Sequence, residues 1–200
     1  MNYSLVQGNS EGYSVALLFD EKCRLLANGV PLTSPDEAER TLMRAISKWV
    51  KINRTSPHLM TVHVKRKVSN LANFIVSLSL GKIKPDLKFI LREFSLDDHP
   101  WLTSKEVQVI KYLLRIPLGK VTSYKHISEI MGLNPRVVAR IMAKNPYPIV
   151  YPCHRVIYAD GRLGGYLGTR EFIILKKLLL IREGVKVKDN RVDKRYFISS

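Results

Sequence analysis

Cysteine is scarce in this sequence, and its N-terminus carries no predicted secretory signal. The 200 residues include two cysteines, Cys23 and Cys153. The first residues, MNYSLVQGNSEGYS, lack the basic segment followed by an apolar segment that such a signal requires. A disulfide framework of the kind found in small secreted domains is therefore not expected. We expect a cytoplasmic protein, nucleoid-associated if prokaryotic, whose thiols are reduced.

Long apolar segments are also absent. The longest candidate, EFIILKKLLLIREG at residues 171–184, is interrupted by two lysines. Crossing a bilayer takes about 18 consecutive apolar residues, which this stretch does not provide. The sequence predicts a helix here and no membrane span.

Acidic residues are few relative to basic ones. Seventeen Asp and Glu stand against 33 Lys and Arg, which gives a formal net charge of +16 and an isoelectric point near 10.0. Charge of this size predicts a polyanionic partner and does not bear on the fold. Nucleic acid is the first candidate and an anionic membrane surface the second. A generally basic, solubilising surface is the alternative.

Residues 1–85 are predicted to form a small mixed α/β domain. YSLVQ, GYSVALLFD and CRLLANGV are typical of strands, and the polar DEK between the last two predicts a hairpin turn. A helix follows, capped by Ser34 and begun by Pro35. Its apolar face is formed by Leu42, Ala45, Ile46, Trp49 and Val50. Further on, LMTVHVKRKV alternates as a strand does, and NLANFIVSLSLG fits either a strand or a helix.

Residues 86–102 are predicted as a linker, and residues 103–200 as a mainly helical domain. Within that domain, VTSYKHISEIMGLNPRVVARIMAKNP predicts two short helices. Ser123 caps the first helix, Gly132 ends it, and Pro135 starts the second. Two short helices joined by a few residues that include Gly form a helix-turn-helix. The predicted fold class is α/β, with a small mixed α/β N-terminal domain and a mainly helical C-terminal domain.

The second helix of this pair carries a basic face. Arg136, Arg140 and Lys144 recur every four residues, which places them on one side of a helix. A helix that lies against DNA phosphates presents such a face. The alternative is a simple pair of helices whose basic face is solvated, and the net charge of +16 favours DNA.

The chemistry of the sequence centres on Cys153. In the segment NPYPIVYPCHRVIY it has His154 and Arg155 as neighbours, and a thiol becomes reactive near positive charge or a base. Adjacent side chains of an extended segment point to opposite faces, so a Cys–His pair requires a turn or short helix after Pro152. The base of a nucleophile is commonly oriented by a third group, and Glu183 is a candidate on position alone.

Two other roles for Cys153 stay open at this point. A zinc site is the weaker, since the sequence has no C-x-x-C pair and only Cys23, His58 and His63 in the first half could add ligands. A small buried apolar side chain is the ordinary role of an isolated cysteine. The basic, proline-bracketed setting directly after a predicted DNA-binding helix favours the nucleophile.

Four motifs follow one another in the second half of the chain: GKVTSY, NPRVVARIMAKNPYPIVYPCHRV, GRLGGY and LLLIREG. In this order and spacing they resemble the O6-alkylguanine-DNA alkyltransferase family, whose signature Pro-Cys-His-Arg-Val stands here at 152–156. The resemblance implies a winged-helix-like DNA-binding domain. It also implies a DNA repair protein that flips O6-alkylguanine out of the duplex and transfers the alkyl group irreversibly to its own cysteine.

The resemblance implies a role for each residue of the reactive centre. Cys153 would be the acceptor thiolate that attacks the alkyl carbon. His154 would be its base, acting through a water, with Glu183 polarising the imidazole. Asn145 would tie the helix-turn-helix to the active-site loop, and Tyr166 would help to hold the guanine O6. The product thioether is stable, so each molecule would react once.

The resemblance also implies how the DNA is held. Tyr124 would crowd the target phosphate, and Arg136 would fill the stack that the flipped guanine leaves. The remaining predicted contacts to DNA are Ser123, Arg140 and Lys144. The predicted pocket residues are Val156, Pro148 and Leu167. No metal and no cofactor is implied, the protein is expected to be a monomer, and the partner is double-stranded DNA that contains O6-alkylguanine.

Three alternatives compete with this prediction. The first is a non-catalytic DNA-lesion sensor of the same fold, although members of that group lack the cysteine that this chain has. The second is a helix-turn-helix regulator in which Cys153 is structural. The third is a cysteine hydrolase, which would need a Cys and a His separated in sequence. The tail VKVKDNRVDKRYFISS is expected to be either a basic DNA-contacting arm or a frayed terminus.

Overall fold

The computed structural model describes residues 4–46 and 62–198, which divide into two compact units. The first unit comprises Met1–Trp101 and Pro146–Val150, and the second comprises Leu102–Asn145 and Tyr151–Ser200. The first is mixed α/β and the second is mainly helical, so the predicted fold class is confirmed. Within the described residues, no helix combines the length and apolarity that spanning a bilayer takes.

The sheet of the first unit has three antiparallel strands in the order β1–β2–β3: Ser4–Ser10, Tyr13–Phe19 and Leu25–Asn28. All three predicted strands are confirmed. In the β2–β3 hairpin, the Asp20 carboxylate accepts hydrogen bonds from the backbone N–H groups of Lys22 and Arg24, at 3.0 and 2.8 Å. An Asp that bonds to nearby backbone in this way is a common turn device, and it confirms the turn predicted at DEK.

Helix α1, Pro35–Ile46, begins where the sequence predicts. Ser34 Oγ accepts a hydrogen bond from the backbone N–H of Glu37 at 3.3 Å, which is the N-cap contact. The predicted apolar positions that the structure describes are all buried: Leu42, Ala45 and Ile46. The other two, Trp49 and Val50, lie outside the described residues.

Helix α2, Val62–Ser79, occupies most of LMTVHVKRKV, so the strand predicted there is wrong. The stretch NLANFIVSLSLG, left open by the sequence, is helical too. The buried positions of α2 recur at helical spacing: Val68, Leu71, Ala72, Ile75 and Val76. This longer period decides the structure over a short alternation at its start. The helix packs closely on β1, since a Cβ at Gly8 would lie 2.7 Å from Ala72 Cβ.

The stretch 86–102 differs from the linker predicted for it, because part of it is a helix of the first unit. Helix α3, Leu87–Glu93, is capped by the Asp86 carboxylate, which accepts two backbone N–H groups. Three side chains of the stretch are fully buried: Ile90, Phe94 and Leu96. Apolar residues at this spacing give the segment a face that packs into a core, which a linker lacks.

A short segment from the second half of the chain, Pro146–Val150, also belongs to the first unit. Asn28 donates to it twice, from its backbone N–H to Pro146 O and from Nδ2 to Pro148 O, both at 3.0 Å. The predicted domain 103–200 is therefore interrupted at this segment. Sequence spacing gives no sign of a pairing between residues about 120 positions apart.

The second unit begins with α4, Ser104–Tyr112, which starts at a capping box made by Thr103 and Glu106. Strands β4 (Thr122–Ser123) and β5 (Val156–Ile157) pair in parallel. Helix α7 spans Ile173–Arg182. Strands β6 (Val187–Lys188) and β7 (Arg191–Val192) form an antiparallel hairpin.

The predicted helix pair is present as α5, Tyr124–Met131, and α6, Pro135–Met142. Ser123 Oγ accepts a hydrogen bond from the backbone N–H of His126 at 2.9 Å and so caps α5. Gly132 ends α5 at φ 62°, a left-handed conformation that glycine adopts without strain. Ser123, Gly132 and Pro135 each bound these helices where the sequence predicts.

The C-terminal tail is packed through Ile198. Its backbone N–H donates to Val121 O at 2.9 Å, next to β4. Tail residues also join the core of the second unit, which contains Val121, Ile157, Leu163, Leu180, Val185 and Val192. Of the two outcomes expected for this tail, a frayed terminus does not apply up to Ile198.

Candidate functional site

Cys153 stands at the start of a 3-10 turn, Cys153–Arg155, directly after Pro152. The backbone N–H of Arg155 donates to Pro152 O at 3.0 Å and closes the turn. The thiol residue is buried, with 4% of its surface exposed, and His154 is buried at 1%. The turn that a Cys–His pair requires after Pro152 is therefore present.

Glu183, at the end of α7, binds both residues that follow the cysteine. Its Oε1 accepts from His154 Nε2 at 2.8 Å and from Arg155 Nη2 at 2.8 Å. Its Oε2 accepts from Arg155 Nε at 2.8 Å, so the guanidinium is bound at two points. Arg155 Nη1 donates to Ile116 O at 2.7 Å. The sequence offered Glu183 on position alone, and the structure places it against His154.

These contacts fix the protonation of the cluster. Burial by itself raises the pKa of Glu183, but His154 and Arg155 outweigh it and lower the pKa to about 2. Burial lowers the pKa of His154, against the raising effect of Glu183. At neutral pH a carboxylate therefore faces a neutral imidazole, whose proton lies on Nε2. His154 Nδ1 is then an acceptor, and it is buried without a partner among the described residues.

The thiol of Cys153 is held in its neutral form at rest. Burial raises its pKa, and Asn145, Lys176 and Tyr166 act in the opposite direction. Tyr166 is buried too, and its Oη makes no hydrogen bond of regular geometry within the described residues. Burial raises the pKa of Tyr166 well above its usual value, and the nearby Cys153 raises it further. Tyr166 is therefore a protonated donor next to the Cys153 thiol.

Lys176 is a member of this centre that sequence reasoning missed. It is 1% exposed, and its Nζ donates to the backbone oxygens of Val156 and Leu163, both at 2.7 Å, and to Gly165 O at 3.3 Å. Burial lowers its pKa to about 7, against the effect of Cys153. A signal was present in the sequence, because Lys176 shares helical spacing with Phe172 and the other buried positions of α7.

Asn145 links the end of the helix pair to the turn that carries the thiol. It is 1% exposed, and its Nδ2 donates to Tyr151 O at 2.7 Å. The five residues between these two positions belong to the first unit, whereas Asn145 and Tyr151 both belong to the second. The hydrogen bond therefore joins the two points at which the chain leaves the second unit and re-enters it.

The predicted basic face of α6 is only partly free. Arg136 and Arg140 are exposed. Lys144, beyond the end of α6, donates from Nζ to Glu106 Oε1 at 2.5 Å and is half-buried. Lys144 is therefore paired with an acid, and its contact to DNA stays a prediction. Spacing put Lys144 on the face, but it could not show an acid 38 residues earlier in the chain.

The other predicted DNA contacts lie at the start of α5. The hydroxyl of Ser123 is used as the cap of this helix. Tyr124 is the first residue of α5, half-buried, with its ring centroid 5.5 Å from that of Tyr158 and 5.7 Å from Lys176 Nζ. Burial raises the pKa of Tyr124, so its hydroxyl stays protonated.

The predicted pocket residues divide between the two units. Val156 and Leu167 are buried in the second unit. Leu167 has φ 50° and forms the tight turn in which Tyr166 and Thr169 exchange backbone hydrogen bonds, at 2.8 and 3.0 Å. Pro148 belongs to the first unit. The turn at Leu167 fixes the backbone that carries Tyr166.

The zinc alternative finds no site in the part of the chain that the structure describes. No group of three His, Cys, Asp or Glu side chains there could hold a metal ion. Cys23 is exposed in the β2–β3 hairpin, with φ 57°. His58 and the side chain of His63 lie outside the description.

A family model described as the 6-O-methylguanine DNA methyltransferase DNA-binding domain matches residues 104–185. Residues 104–185 are therefore similar to the DNA-binding domain of that family. The predicted residues of the reactive centre, the DNA contacts and the pocket all lie inside the matched segment, and so does Lys176.

Two curated proteins are similar to part of this chain. A methylated-DNA–protein-cysteine methyltransferase from Pyrobaculum aerophilum is 50% identical over 78 residues, which are 39% of this chain and 51% of that protein. One from Saccharolobus islandicus is 42% identical over 100 residues, which are 50% of this chain and 61% of that protein. The chain thus spans less than two thirds of the length of either relative.

A solved structure resembles the chain over most of its length. The crystal structure of O6-methylguanine-DNA methyltransferase from the archaeon Pyrococcus kodakaraensis matches with a TM-score of 0.61 at 26% identity. The match covers 92% of this chain and 99% of that one. The likeness therefore includes most of the first unit.

Proposed function

We propose that this protein repairs DNA by transferring the alkyl group of O6-alkylguanine to Cys153, once per molecule. The observation that carries the proposal is the buried cluster in which Glu183 binds both His154 and Arg155 beside the thiol. The methyltransferase family of residues 104–185 supports the same reaction.

The cluster can activate a thiol that burial keeps neutral. Nδ1 of His154 would take the proton of Cys153, by way of a water molecule as the resemblance implies. The imidazolium that forms is stabilised by the Glu183 carboxylate, which stays ionised because its pKa is about 2. A transient thiolate thus forms inside a site where the resting thiol is unreactive.

The transfer itself exchanges one bond for another. The sulfur of Cys153 forms a bond to the alkyl carbon, the bond from that carbon to guanine O6 breaks, and its electron pair goes to O6. The proton first taken from the thiol balances the guanine product. Tyr166, whose hydroxyl is protonated, would donate a hydrogen bond to O6 as its charge develops. A thioether has no general route back, so the protein is consumed.

The helix pair would bring this centre to the lesion. The O6 atom is out of reach inside a duplex, so the nucleotide must be flipped out, at a cost of a few kcal/mol. Exposed Arg136, at the start of α6, would fill the vacated stack, and Arg140 would contact phosphate. Tyr124 and Ser123 stand at the start of the other helix. We further propose that the protein acts as a monomer on duplex DNA, in the cytoplasm, without a metal or cofactor.

Intact-protein mass spectrometry tests the reaction directly. After incubation with a duplex that contains O6-methylguanine, the mass of the protein should rise by one methyl group. Cys153→Ser should show no gain. Cys23→Ser is the matched control, because Cys23 is exposed and lies in the first unit, and it should gain the methyl group as the wild type does.

Two of the alternatives make a different prediction for the same experiment. A helix-turn-helix regulator or a lesion sensor with a structural Cys153 would bind the duplex without any change in mass. A methyl gain that persists in Cys153→Ser, or no gain in a wild-type sample that demonstrably binds the duplex, would reject the proposal.

A further inference from the structure

We propose that the β6–β7 hairpin of the second unit is an additional contact surface for the phosphate backbone of duplex DNA. We call residues 185–192 the basic hairpin. The inference rests on the proposed function for its choice of partner. It adds a DNA contact outside the helix pair. The family match ends at residue 185, so nearly all of the basic hairpin lies beyond it.

The basic hairpin has one apolar face and one cationic face. Val185 and Val192 are buried in the core of the second unit, and Val187 packs against the same core. The residues that alternate with them are exposed: Lys186, Lys188 and Arg191. Because successive side chains of a strand point to opposite sides, the three cations share the face that is turned away from the core. The sequence alternation thus builds a small basic surface on a packed support.

The cations of this surface repel one another. Lys188 and Arg191 are direct partners across the antiparallel pair, and like charges in that position destabilise a hairpin. The turn between them, Asp189–Asn190, has φ 48° and 56° and so holds the two strands in register. Asp189 forms no ion pair with either cation in the described part of the chain. The Asp160 carboxylate, outside the hairpin, offsets part of the Arg191 charge. A polyanion laid over this face would relieve the repulsion that remains.

The basic hairpin is held against the loop that follows β5. Leu163 donates from its backbone N–H to Asn190 O at 3.0 Å, and Val192 donates to Gly161 O at 2.9 Å. Arg191 Nη1 donates to Asp160 O at 3.0 Å. These bonds fix the position of the hairpin relative to that loop.

Two contacts between side chains connect this loop to the helix pair. The guanidinium of Arg162 lies 5.3 Å from the ring centroid of Tyr158, which is itself exposed. The Tyr158 ring lies 5.5 Å from that of Tyr124, the first residue of α5. The basic hairpin is therefore continuous with the element that the proposed function places on DNA.

Duplex DNA suits this surface better than an anionic membrane does. Peripheral binding to a membrane uses apolar side chains that enter the lipid beside the basic ones. The outward face of the basic hairpin carries Lys and Arg, and its valines are turned into the core. Point charges without an apolar component are the pattern of contacts to phosphate.

The salt dependence of binding to undamaged duplex DNA tests the contact. The double variant Lys186→Gln, Lys188→Gln removes two charges whose side chains make no hydrogen bond or ion pair among the described residues. Each phosphate contact contributes about 0.9 to the slope of log affinity against log salt concentration. Loss of both contacts should lower that slope by about 1.8, so that the fall in affinity between about 50 and 200 mM salt becomes roughly 12-fold smaller. The control Lys84→Gln, Lys88→Gln removes two exposed charges of the first unit and should leave the slope unchanged.

A charge reversal separates a binding role from a structural one. Lys188→Glu turns the repulsive pair with Arg191 into an attractive one, so the Tm should not fall, while affinity for the duplex should drop about as far as in the double Gln variant, because both changes lower the charge of the surface by two. A slope equal to that of the wild type in both variants would overturn the contact. So would loss of binding to phosphatidylserine vesicles with unchanged binding to DNA. No alkyl transfer is needed for this measurement, so it stands or falls separately from the reaction at Cys153.

Discussion

The two units differ in the charge that they carry. The first contains 14 Lys and Arg and 10 Asp and Glu, a net charge of +4. The second contains 19 Lys and Arg and 7 Asp and Glu, a net charge of +12. The excess that predicted a polyanionic partner for the whole chain thus belongs mainly to the unit that holds the helix pair and Cys153.

The units differ as well in what they bury. Among the Asp, Glu, Lys, Arg and His side chains that the structure describes in the first unit, the buried one is His99, whose Nε2 bonds to Leu26 O at 2.9 Å. Burial lowers the pKa of His99. The described residues of the second unit bury His154, Arg155 and Lys176, with the carboxylate of Glu183 among them. Burying charge costs free energy unless each group is paired and hydrogen-bonded. The second unit therefore maintains a polar centre that a purely structural core would replace with apolar packing.

Among the predicted variants, Glu183→Gln is expected to lower the free energy of unfolding most. The change leaves the buried guanidinium of Arg155 without its carboxylate, and breaking a buried ion pair in this way typically costs about 3–5 kcal/mol. The free energy of unfolding from urea denaturation should fall by about that amount. Glu11→Gln, at an exposed ion pair of the first unit with Lys82, should lower it by less than about 1 kcal/mol. Equal losses in the two variants would remove the distinction between the units.

The pH dependence of stability sharpens the role of Lys176. Its pKa is about 7 when folded against 10.5 normally, so between these values the unfolded chain binds more protons. Stability should therefore rise with pH over this window, by at most about 1.4 kcal/mol per pH unit. Lys176→Met should abolish the rise, measured as urea midpoints from pH 7 to 10. The neighbouring half-buried Lys177, changed to Met, should preserve it.

The smallest effect is expected from Tyr147→Phe in the first unit. Tyr147 Oη donates to Leu25 O at 2.6 Å, and losing one buried hydrogen bond costs about 0.5–1.5 kcal/mol. Transfer of an alkyl group from free O6-benzylguanine should proceed at the wild-type rate within about twofold. An alkyl-transfer rate that falls by much more than this would contradict the comparison. Tyr147, a residue of the first unit, would then affect the reaction in the second unit.

Local signals explain what could be predicted from the sequence. Ser123, Gly132 and Pro135 bound the helix pair because capping, left-handed and first-turn positions each favour particular residues. The turn after Pro152 could also be predicted. Adjacent side chains of an extended segment point to opposite faces, so a Cys–His pair requires a turn there. These features depend on a few neighbouring residues.

Contacts between distant positions explain what could not be predicted. Lys144 meets Glu106, and Lys176 meets three carbonyls of the β5 region, across 38 and up to 20 positions. The strand predicted at LMTVHVKRKV was wrong because the packing of a long helical face outweighs a short alternation. The predicted roles of individual site residues stay predictions, with Lys176 added to the set.

The detour of Pro146–Val150 through the first unit has a practical consequence. A gene fragment that begins at Leu102 would encode every residue of the second unit. It would also encode Pro146–Val150 without the rest of the first unit. Tyr147, Ile149 and Val150, which are buried in the whole chain, would then face water a few residues before Cys153. The two units are separable by compactness, but no single cut in the chain divides them.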